Sequence, residues 1–385
     1  MTAFMKEICM ILFLLSALFV QSQTKTDYFD KFIVVSYSQV DTANAEVNAM
    51  IHVWTSYLKS RLYGMATKND TLGSRYWNDE EKQRSSPPDH ISAFFPGLFY
   101  FQTTILSVEP IDDHYYRILN CSSAADSTGR VDIKAVYYVL VKRINNRYKL
   151  YNYFHHEKEK LMTTLVGTVR YYYPGYFPFS MKEAGKLAEF RDSLSVLFHE
   201  PGGHELIYVI DTNAALLVNR LGFIYQPMLS GSKDGRYMET NGMLLSSFGE
   251  NHRHEVVHSF TSHKHSEEML MFNEGLATLL GGSRGHDMKW HANNLYNYFV
   301  TKMNSDTSKI MSLSSLYKQT PPEYIKGAII MKYAIDIYGF EKALKLLTYS
   351  ERQSTPEEVI EKELGISKDK LNPFLLKYMK KYAGL

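Results

Sequence analysis

The chain has 385 residues, of which 45% are hydrophobic and 22% are charged, and its formal net charge is +2. This length and composition predict an ordinary globular protein with room for two domains. A net charge this close to zero gives no reason to place the chain in the class of strongly basic proteins that bind nucleic acid or anionic membranes through charge. We therefore expect no nucleic-acid partner.

The N-terminus has the pattern of a secretory signal peptide over residues 1–22. Lys6 precedes a largely apolar run at 8–20, and Val20 and Ser22 suit the small-residue positions of a cleavage site. The run is short for a membrane span, which needs about 20 residues. We expect a secreted or periplasmic protein with no stable membrane span after cleavage, and an uncleaved membrane anchor is the alternative.

Cysteine usage is minimal, because the chain contains only Cys9 and Cys121. Cleavage of the signal peptide would remove Cys9. We therefore expect no intramolecular disulfide, although an extracellular compartment would permit one.

Residues 26–160 are predicted to form an accessory α+β domain. Apolar residues at helical spacing predict a helix over 45–63, and the polar stretch 68–90 predicts a long loop. Asn145 and Asn146 predict a tight turn between two strands. Period-two patterns predict antiparallel strands at 103–108, 115–121, 131–143 and 147–155. In its element order, this helix with a long antiparallel sheet resembles the cone-like fold of the nuclear transport factor family.

Residues 161–385 are predicted to form a second domain with a small mixed sheet and a helical lobe. The strands are predicted at 165–173, 206–210 and 242–248. The helices are predicted at 184–198, 213–220, 269–280, 289–303, 324–338, 341–347, 356–364 and 368–382.

The most informative motif is H-E-x-x-H at residues 254–258. On a helix, His254 and His258 lie one turn apart on one face, so both imidazoles can bind one zinc ion at roughly 2.0–2.1 Å. Glu255 lies beside them, where it can take a proton from a zinc-activated water. A catalytic zinc needs a third protein ligand, and Glu274 in the downstream N-E-G-L-A sequence is the candidate. A chance match in this histidine-rich stretch would not include such a partner.

H-E-x-x-H followed by N-E-G-L-A resembles the gluzincin metallopeptidases over roughly residues 165–385. Within them it is most similar to the peptidase MA-like group and, more distantly, to the zinc aminopeptidases related to leukotriene A4 hydrolase. The resemblance implies a zincin-like fold and one Zn²⁺ per chain, held by His254, His258 and Glu274. The gap between His258 and Glu274 is a few residues shorter than in those aminopeptidases, which implies a shorter connecting loop.

A second segment, Y-x-K-G at residues 324–327, also resembles the aminopeptidase-like families. There the tyrosine hydrogen-bonds the oxyanion, which makes Tyr324 the candidate for that role. Such a donor is worth about 3–4 kcal/mol of barrier height. The alternative is a tyrosine at a helix start that packs on the core.

The strand before the metal-binding helix differs from the aminopeptidase pattern. In the gluzincins this strand is the sheet edge along which an extended peptide lies. The aminopeptidases have a glutamate there, in a G-A-M-E-N motif that holds the free amino terminus. Residues 241–245 read N-G-M-L-L, with no acid at the matching position. This difference weighs against aminopeptidase specificity and leaves endopeptidase activity open.

These observations predict a secreted zinc-dependent metallopeptidase that hydrolyses peptide or protein substrates, with Glu255 as the general base. Two alternatives remain. One is a catalytically inactive zincin-fold protein that acts as a binding or scaffold protein of the cell envelope. The other is a zinc hydrolase of non-peptide amides or esters. The sequence predicts neither the oligomeric state nor the bond that is cut.

Overall fold

The computed structural model describes residues 32–67, 73–80, 89–95, 97–200, 205–226, 233–264, 267–303, 306, 308, 310–349 and 354–385. The predicted signal peptide at 1–22 lies outside this part of the chain. The described residues group into two units. The first consists of the described parts of Met1–Lys160 and Val218–Ser230, and the second of those of Leu161–Leu217 and Gly231–Leu385.

The first unit contains a mixed sheet of six strands in its described residues. The strands are β1 (Ile33–Val35), β2 (Gln102–Pro110), β3 (Tyr115–Ala125), β4 (Val131–Ile144), β5 (Arg147–Tyr151) and β9 (Phe223–Tyr225). β1 pairs with β2 in parallel, and the other pairs are antiparallel in the order β2-β3-β4-β5. β9 pairs with β4, which explains why Val218–Ser230 groups with this unit although the sequence analysis placed it within 161–385.

Helices α1 (Ala45–Thr67), α2 (His90–Phe94) and α3 (Phe154–Glu157) accompany this sheet. Trp54 and Tyr57 of α1 are fully buried with Trp77 and Tyr137, and their rings lie 5.2–6.5 Å apart. Within the predicted loop 68–90, the described residues include a 3-10 turn at Ser74–Tyr76, and Asp89 caps α2. The loop prediction was therefore too simple.

The second unit is built on a five-stranded mixed sheet in the order β10-β11-β8-β7-β6. Its strands are β6 (Met162–Val166), β7 (Val169–Tyr173), β8 (Leu206–Ile210), β10 (Gly235–Met238) and β11 (Met243–Ser246). β7, β8 and β11 are parallel, whereas β6 and β10 are antiparallel edge strands among the described residues. The strand before the helix that carries H-E-x-x-H, β11, is therefore internal, and β10 is the edge among the described residues. The expectation that 242–248 forms the sheet edge was wrong.

Eight helices of the second unit are described in full. They are α4 (Met181–Leu197), α6 (Arg253–Thr261), α7 (Leu270–Gly281), α8 (Met288–Lys302), α9 (Pro322–Tyr338), α10 (Phe340–Leu347), α11 (Pro356–Leu364) and α12 (Lys368–Ala383). α5 (Ala214–Arg220) spans the division between the units. One hydrophobic core joins the sheet to these helices, and it includes Tyr208, Leu244, Val256, Leu276 and Ile329.

The predicted α+β class is confirmed, and the predicted helices of the second unit are present with ends shifted by three residues at most. Two strand predictions were wrong in detail. Residues 165–173 form a hairpin, β6 and β7, that turns at Gly167 with a φ of +59°. The strand predicted at 147–155 ends at Tyr151, and α3 follows. Among the described residues, no helix combines the length and the apolarity needed to cross a bilayer.

Candidate metal centre

Helix α6 carries the H-E-x-x-H motif, as the sequence predicts. His254, Glu255 and His258 are all buried, with 5–8% of each residue exposed. Val256 and Val257, between them, are fully buried in the core of the second unit. The apolar residues of the motif therefore anchor the helix while its polar residues converge on the site.

Helix α7 carries Glu274, and two glycines bring it close to α9. A Cβ atom on Gly275 would lie 2.3 Å from the backbone carbon of Gly327, and one on Gly327 would lie 2.0 Å from the carbonyl oxygen of Met271. Only glycine permits this backbone approach. The glycines of N-E-G-L-A and Y-x-K-G thus form one helix crossing, which sets Glu274 and Tyr324 relative to each other.

The second contact of α7 is with the start of α6. A Cβ atom on Gly281 would lie 2.6 Å from the backbone nitrogen of His254. Gly282, the next residue, has a φ of +76°, and its carbonyl oxygen accepts a hydrogen bond of 2.7 Å from Nδ1 of His254. The end of α7 therefore orients the imidazole of the first candidate ligand.

The three candidate ligands converge on one point. Nε2 of His254 lies 3.2 Å from Nε2 of His258 and 3.1 Å from Oε2 of Glu274, and the third side of the triangle measures 3.6 Å. A tetrahedral ion with ligands at about 2.0–2.1 Å holds its ligand atoms about 3.3–3.4 Å apart. Among the described residues, this is the one group of three metal-ligating side chains with such spacing.

The protonation of these groups reinforces the geometric argument. Nδ1 of His254 donates to a carbonyl oxygen, so its proton is on Nδ1 and Nε2 of the neutral ring carries a lone pair. This lone pair faces the carboxylate oxygen of Glu274 and the ring nitrogen of His258. Acceptor groups that face one another repel unless a proton or a cation lies between them. The ring nitrogens of His254 and His258 and the carboxylate oxygen of Glu274 therefore form a group suited to binding a cation.

In the protein without metal, a proton compensates part of this repulsion. Burial opposes charging of His258, but the Glu274 carboxylate outweighs it and raises the pKa of His258 to about 9. Burial would likewise raise the pKa of Glu274, but His258 and His254 lower it well below its usual range. Glu274 is thus an anion that can bind a metal directly.

Glu255 lies beside this triangle and contacts the edge strand. Its Oε2 accepts a hydrogen bond of 2.7 Å from the backbone N–H of Tyr237 in β10. Oε1 makes no hydrogen bond with a described residue. An open cavity adjoins this carboxylate. The lining residues are Lys233, Asp234, Gly235, Phe248, His252, His254, Glu255, Ser283, Arg284 and Tyr324.

Tyr324 lies in the first turn of α9 and lines the same cavity. Its ring is nearly parallel to that of His254, with centroids 5.7 Å apart. Burial and the nearby Glu274 raise the pKa of Tyr324 above its usual range, so the phenol remains a hydrogen-bond donor. The structure thus brings together all five residues that the sequence singled out.

Lys326, in the same Y-x-K-G segment, has a structural position. It is fully buried, and its Nζ donates hydrogen bonds to the carbonyl oxygens of Met311 and Leu313 and to Glu323. These bonds anchor the segment 311–313 to the first turns of α9.

Two buried histidines that support the site have no recognisable motif in the sequence. His291 of α8 is fully buried, with Nε2 2.8 Å from the carbonyl oxygen of Ser283 and Nδ1 2.9 Å from Oγ1 of Thr320. It thereby links the turn after α7 to the segment before α9. His252 is also buried, 3.1 Å from Oγ of Ser246, and burial lowers its pKa to about 4. Neither has a spacing that distinguishes it in the sequence.

Neither a protein-family model nor a curated protein sequence matches this chain.

Proposed function

We propose that the protein is a zinc-dependent metallopeptidase of the gluzincin type, with the site in its second unit. The observation that carries the proposal is the triangle of acceptor atoms from His254, His258 and Glu274, with sides of 3.1–3.6 Å. Two histidines and a glutamate with an open fourth position are the ligand set of catalytic zinc in peptidases.

His254, His258 and Glu274 would hold the ion. When bound, zinc supplies a Lewis acid for the scissile carbonyl and lowers the pKa of water towards about 7. The neutral imidazole of His254 and the ionised Glu274 are the forms that bind a metal. Glu274 is already in that form, whereas His258 would release a proton as the metal binds, because the Glu274 carboxylate raises its pKa.

Glu255 is the proposed general base. Because Tyr237 occupies only Oε2, the other carboxylate oxygen can take a proton from the attacking water. The same carboxyl group then passes this proton to the leaving amine, so the site returns to its starting protonation state. A general base of this kind contributes about 10²–10⁴-fold to the rate.

Tyr324 is the proposed oxyanion donor. Its phenol is protonated and lines the cavity beside His254, so it can donate a hydrogen bond to the carbonyl oxygen as that atom becomes negative. β10 is the strand beside which an extended peptide would lie, because it is the edge strand next to the cavity among the described residues.

The wider setting of this activity is also a proposal. The signal-like sequence at 1–22 supports a secreted or periplasmic enzyme, and the substrate would be a peptide or protein. The first unit would be an accessory domain with a fold of the nuclear transport factor type. The two alternatives are an inactive zincin-fold binding or scaffold protein and a zinc hydrolase of non-peptide amides or esters. The complete set of ligands, base and donor favours an enzyme over a scaffold.

The experiment compares wild type with Glu255→Gln on a peptide library after both proteins are loaded with zinc. Wild type should cleave, and Glu255→Gln should lose about 10²–10⁴-fold in kcat while retaining one zinc per chain. Glu361→Gln, an exposed change on α11, is the matched control. A fully active Glu255→Gln enzyme would falsify the mechanism, and an inactive zinc-loaded wild type would support the scaffold function.

A further inference from the structure

One cationic side chain that lines the cavity, Arg284, has no role in the proposed mechanism. Arg284 lines the cavity together with His254, Glu255 and Tyr324. Its guanidinium makes no ion pair or side-chain hydrogen bond with any residue that the structure describes. Its positive charge acts on Tyr324. Burial and Glu274 raise the pKa of Tyr324, and Arg284 reduces this rise.

Arg284 lies on a rigid two-residue turn. Ser283 and His286 exchange backbone hydrogen bonds of 2.8 and 2.9 Å, and Arg284 and Gly285 between them have φ values of +50° and +83°. This is the backbone pattern of a tight hairpin turn. The turn leaves little freedom to the arginine backbone.

Two hydrogen bonds fix this turn to the metal centre. The carbonyl oxygen of Gly282, just before the turn, accepts from Nδ1 of His254 at 2.7 Å. The carbonyl oxygen of Ser283 accepts from Nε2 of the buried His291 at 2.8 Å. Arg284 is thus held at a set position relative to the candidate zinc ligand.

The acids of the cavity do not neutralise Arg284 by direct contact. Asp234 accepts a hydrogen bond of 2.8 Å from the backbone N–H of Gly235, and Glu255 accepts from Tyr237. A second cation, Lys233, also lines the cavity and forms no ion pair with a described residue. The cavity therefore contains two acids and two cationic side chains beside the site where the scissile bond would lie, and neither cation forms an ion pair with a described residue.

We infer that Arg284 binds a carboxylate of the substrate, so that the enzyme selects peptides with a negative charge close to the cleaved bond. This inference rests on the proposed peptidase function and specifies its substrate class. A guanidinium binds a carboxylate through two parallel N–H···O bonds, which fixes the orientation of the peptide as well as its affinity. The carboxylate is either the C-terminus of the peptide or an Asp or Glu side chain.

The experiment measures binding rather than turnover, with zinc-loaded Glu255→Gln protein and four peptides of one length. One pair has a free or an amidated C-terminus. The other pair is amidated and has Glu or Gln beside the scissile bond. Calorimetry should show that one acidic peptide binds about tenfold or more tightly than its neutral match, and the pair that shows the difference identifies the source of the carboxylate.

Arg284→Gln, added to this background, should make the acidic and neutral peptides bind equally, and Arg284→Lys should retain part of the preference. Lys318→Gln is the matched control. Lys318 is an exposed cation with a φ of +42° in the equivalent turn Tyr317–Thr320, and it does not line the cavity. The preference should survive that change.

The inference is overturned if no acidic peptide binds more tightly than its match, or if the preference survives Arg284→Gln. These outcomes are separate from failure of the proposed function. If wild type cleaves peptides without a charge preference, the proposed function stands and the inference is wrong. If the protein binds acidic peptides through Arg284 but never cleaves peptides, the proposed function is wrong and the binding role of Arg284 stands.

Discussion

Both units bury charged and polar side chains, but they use them differently. In the first unit, the buried Asp89 accepts hydrogen bonds from the Tyr57 hydroxyl and the backbone N–H of Ser92, and Nε of Arg61 lies 3.9 Å away. Nearby, Nε1 of Trp54 donates to Asn120 at 2.8 Å. In this cluster, donors face acceptors.

In the second unit, three atoms that can all act as acceptors face one another, and only a proton on His258 supplies a donor among them. The ring nitrogens of His254 and His258 lie 3.2 Å apart, and both lie close to a carboxylate oxygen of Glu274. In the first arrangement, the carboxylate of Asp89 and the amide oxygen of Asn120 accept hydrogen bonds from donors of the protein, which stabilises the fold. The second is not complete without a cation or an extra proton. The difference separates a structural polar cluster from a binding site without reference to any other protein.

The largest expected effect is a loss of stability on mutation of Asp89, in the buried polar cluster of the first unit. Asp89→Ala removes the partner of Tyr57 and the cap of α2 and leaves Arg61 close to an uncharged site. Loss of one partner of a buried pair should lower the free energy of unfolding by about 3–5 kcal/mol. Urea unfolding followed by the fluorescence of Trp54 and Trp77 measures this change.

The exposed Asp132→Ala provides the control for that experiment and should change stability by less than about 0.5 kcal/mol. Zinc stoichiometry of Asp89→Ala, measured without denaturant, should remain that of wild type. Equal stability of the two variants would contradict the structural role of the Asp89 cluster.

The second effect concerns catalysis at the metal centre. Tyr324→Phe removes the proposed oxyanion donor and should raise the barrier by about 3–4 kcal/mol, a fall in kcat of about 10²–10³-fold. Zinc content should not change, because Tyr324 is not a ligand. Tyr338→Phe, at the half-exposed far end of the same helix, is the control. If both variants turn over at the same rate, Tyr324 is only a packing residue.

The third effect is a dependence of folding stability on pH, which His252 should produce. Burial lowers its pKa to about 4 in the folded protein, whereas the unfolded chain titrates near about 6.5. The folded state therefore binds the proton less well, and stability falls as pH decreases from about 6.5 to about 4. The maximum loss from this group is about 3 kcal/mol.

Replacement of His252 with Phe tests this dependence in protein treated with a chelator. The free energy of unfolding of wild type should fall more steeply than that of His252→Phe across this pH window, and the two should run parallel above pH about 7. Parallel curves throughout the window would show that His252 does not titrate as its burial requires.

The smallest effect tests the close crossing of two helices at Gly275 and Gly327, which positions the candidate metal ligand Glu274. Gly275→Ala would place a Cβ atom 2.3 Å from the Gly327 backbone and should destabilise by about 1–3 kcal/mol, because backbone atoms must move. Gly185→Ala, on α4, meets no atom within 4 Å and should stabilise slightly, since alanine favours helix. Thermal unfolding compares the two, and equal shifts would argue against a close crossing.

The comparison also shows why the centre of the site was predictable and its surroundings were not. His254, Glu255 and His258 share one helix, so helical spacing alone predicts their approach. Glu274 and Tyr324 lie on other helices, and their positions depend on the contact between Gly275 and Gly327, which no local pattern reveals. The need of a catalytic zinc for a third ligand pointed to Glu274, and the resemblance to the aminopeptidase-like families pointed to Tyr324.

The supporting residues and the sheet edge had no local signal. His291 acts through Ser283 and Thr320, and a buried histidine of this kind looks like any other helical histidine in the sequence. β10 is four residues long and follows the polar stretch 230–234, so its alternation is too short to predict a strand. β9 was missed for the same reason, and with it the grouping of 218–230 with the first unit.

The most direct test of the account is the zinc content of wild type and Glu274→Ala, both purified without added zinc and measured by mass spectrometry. We expect one zinc per wild-type chain and a marked loss in Glu274→Ala, with Glu361→Ala retaining the wild-type content. A wild-type protein that carries no zinc and cannot be loaded, or a Glu274→Ala variant that retains all of it, would contradict the three-ligand metal centre.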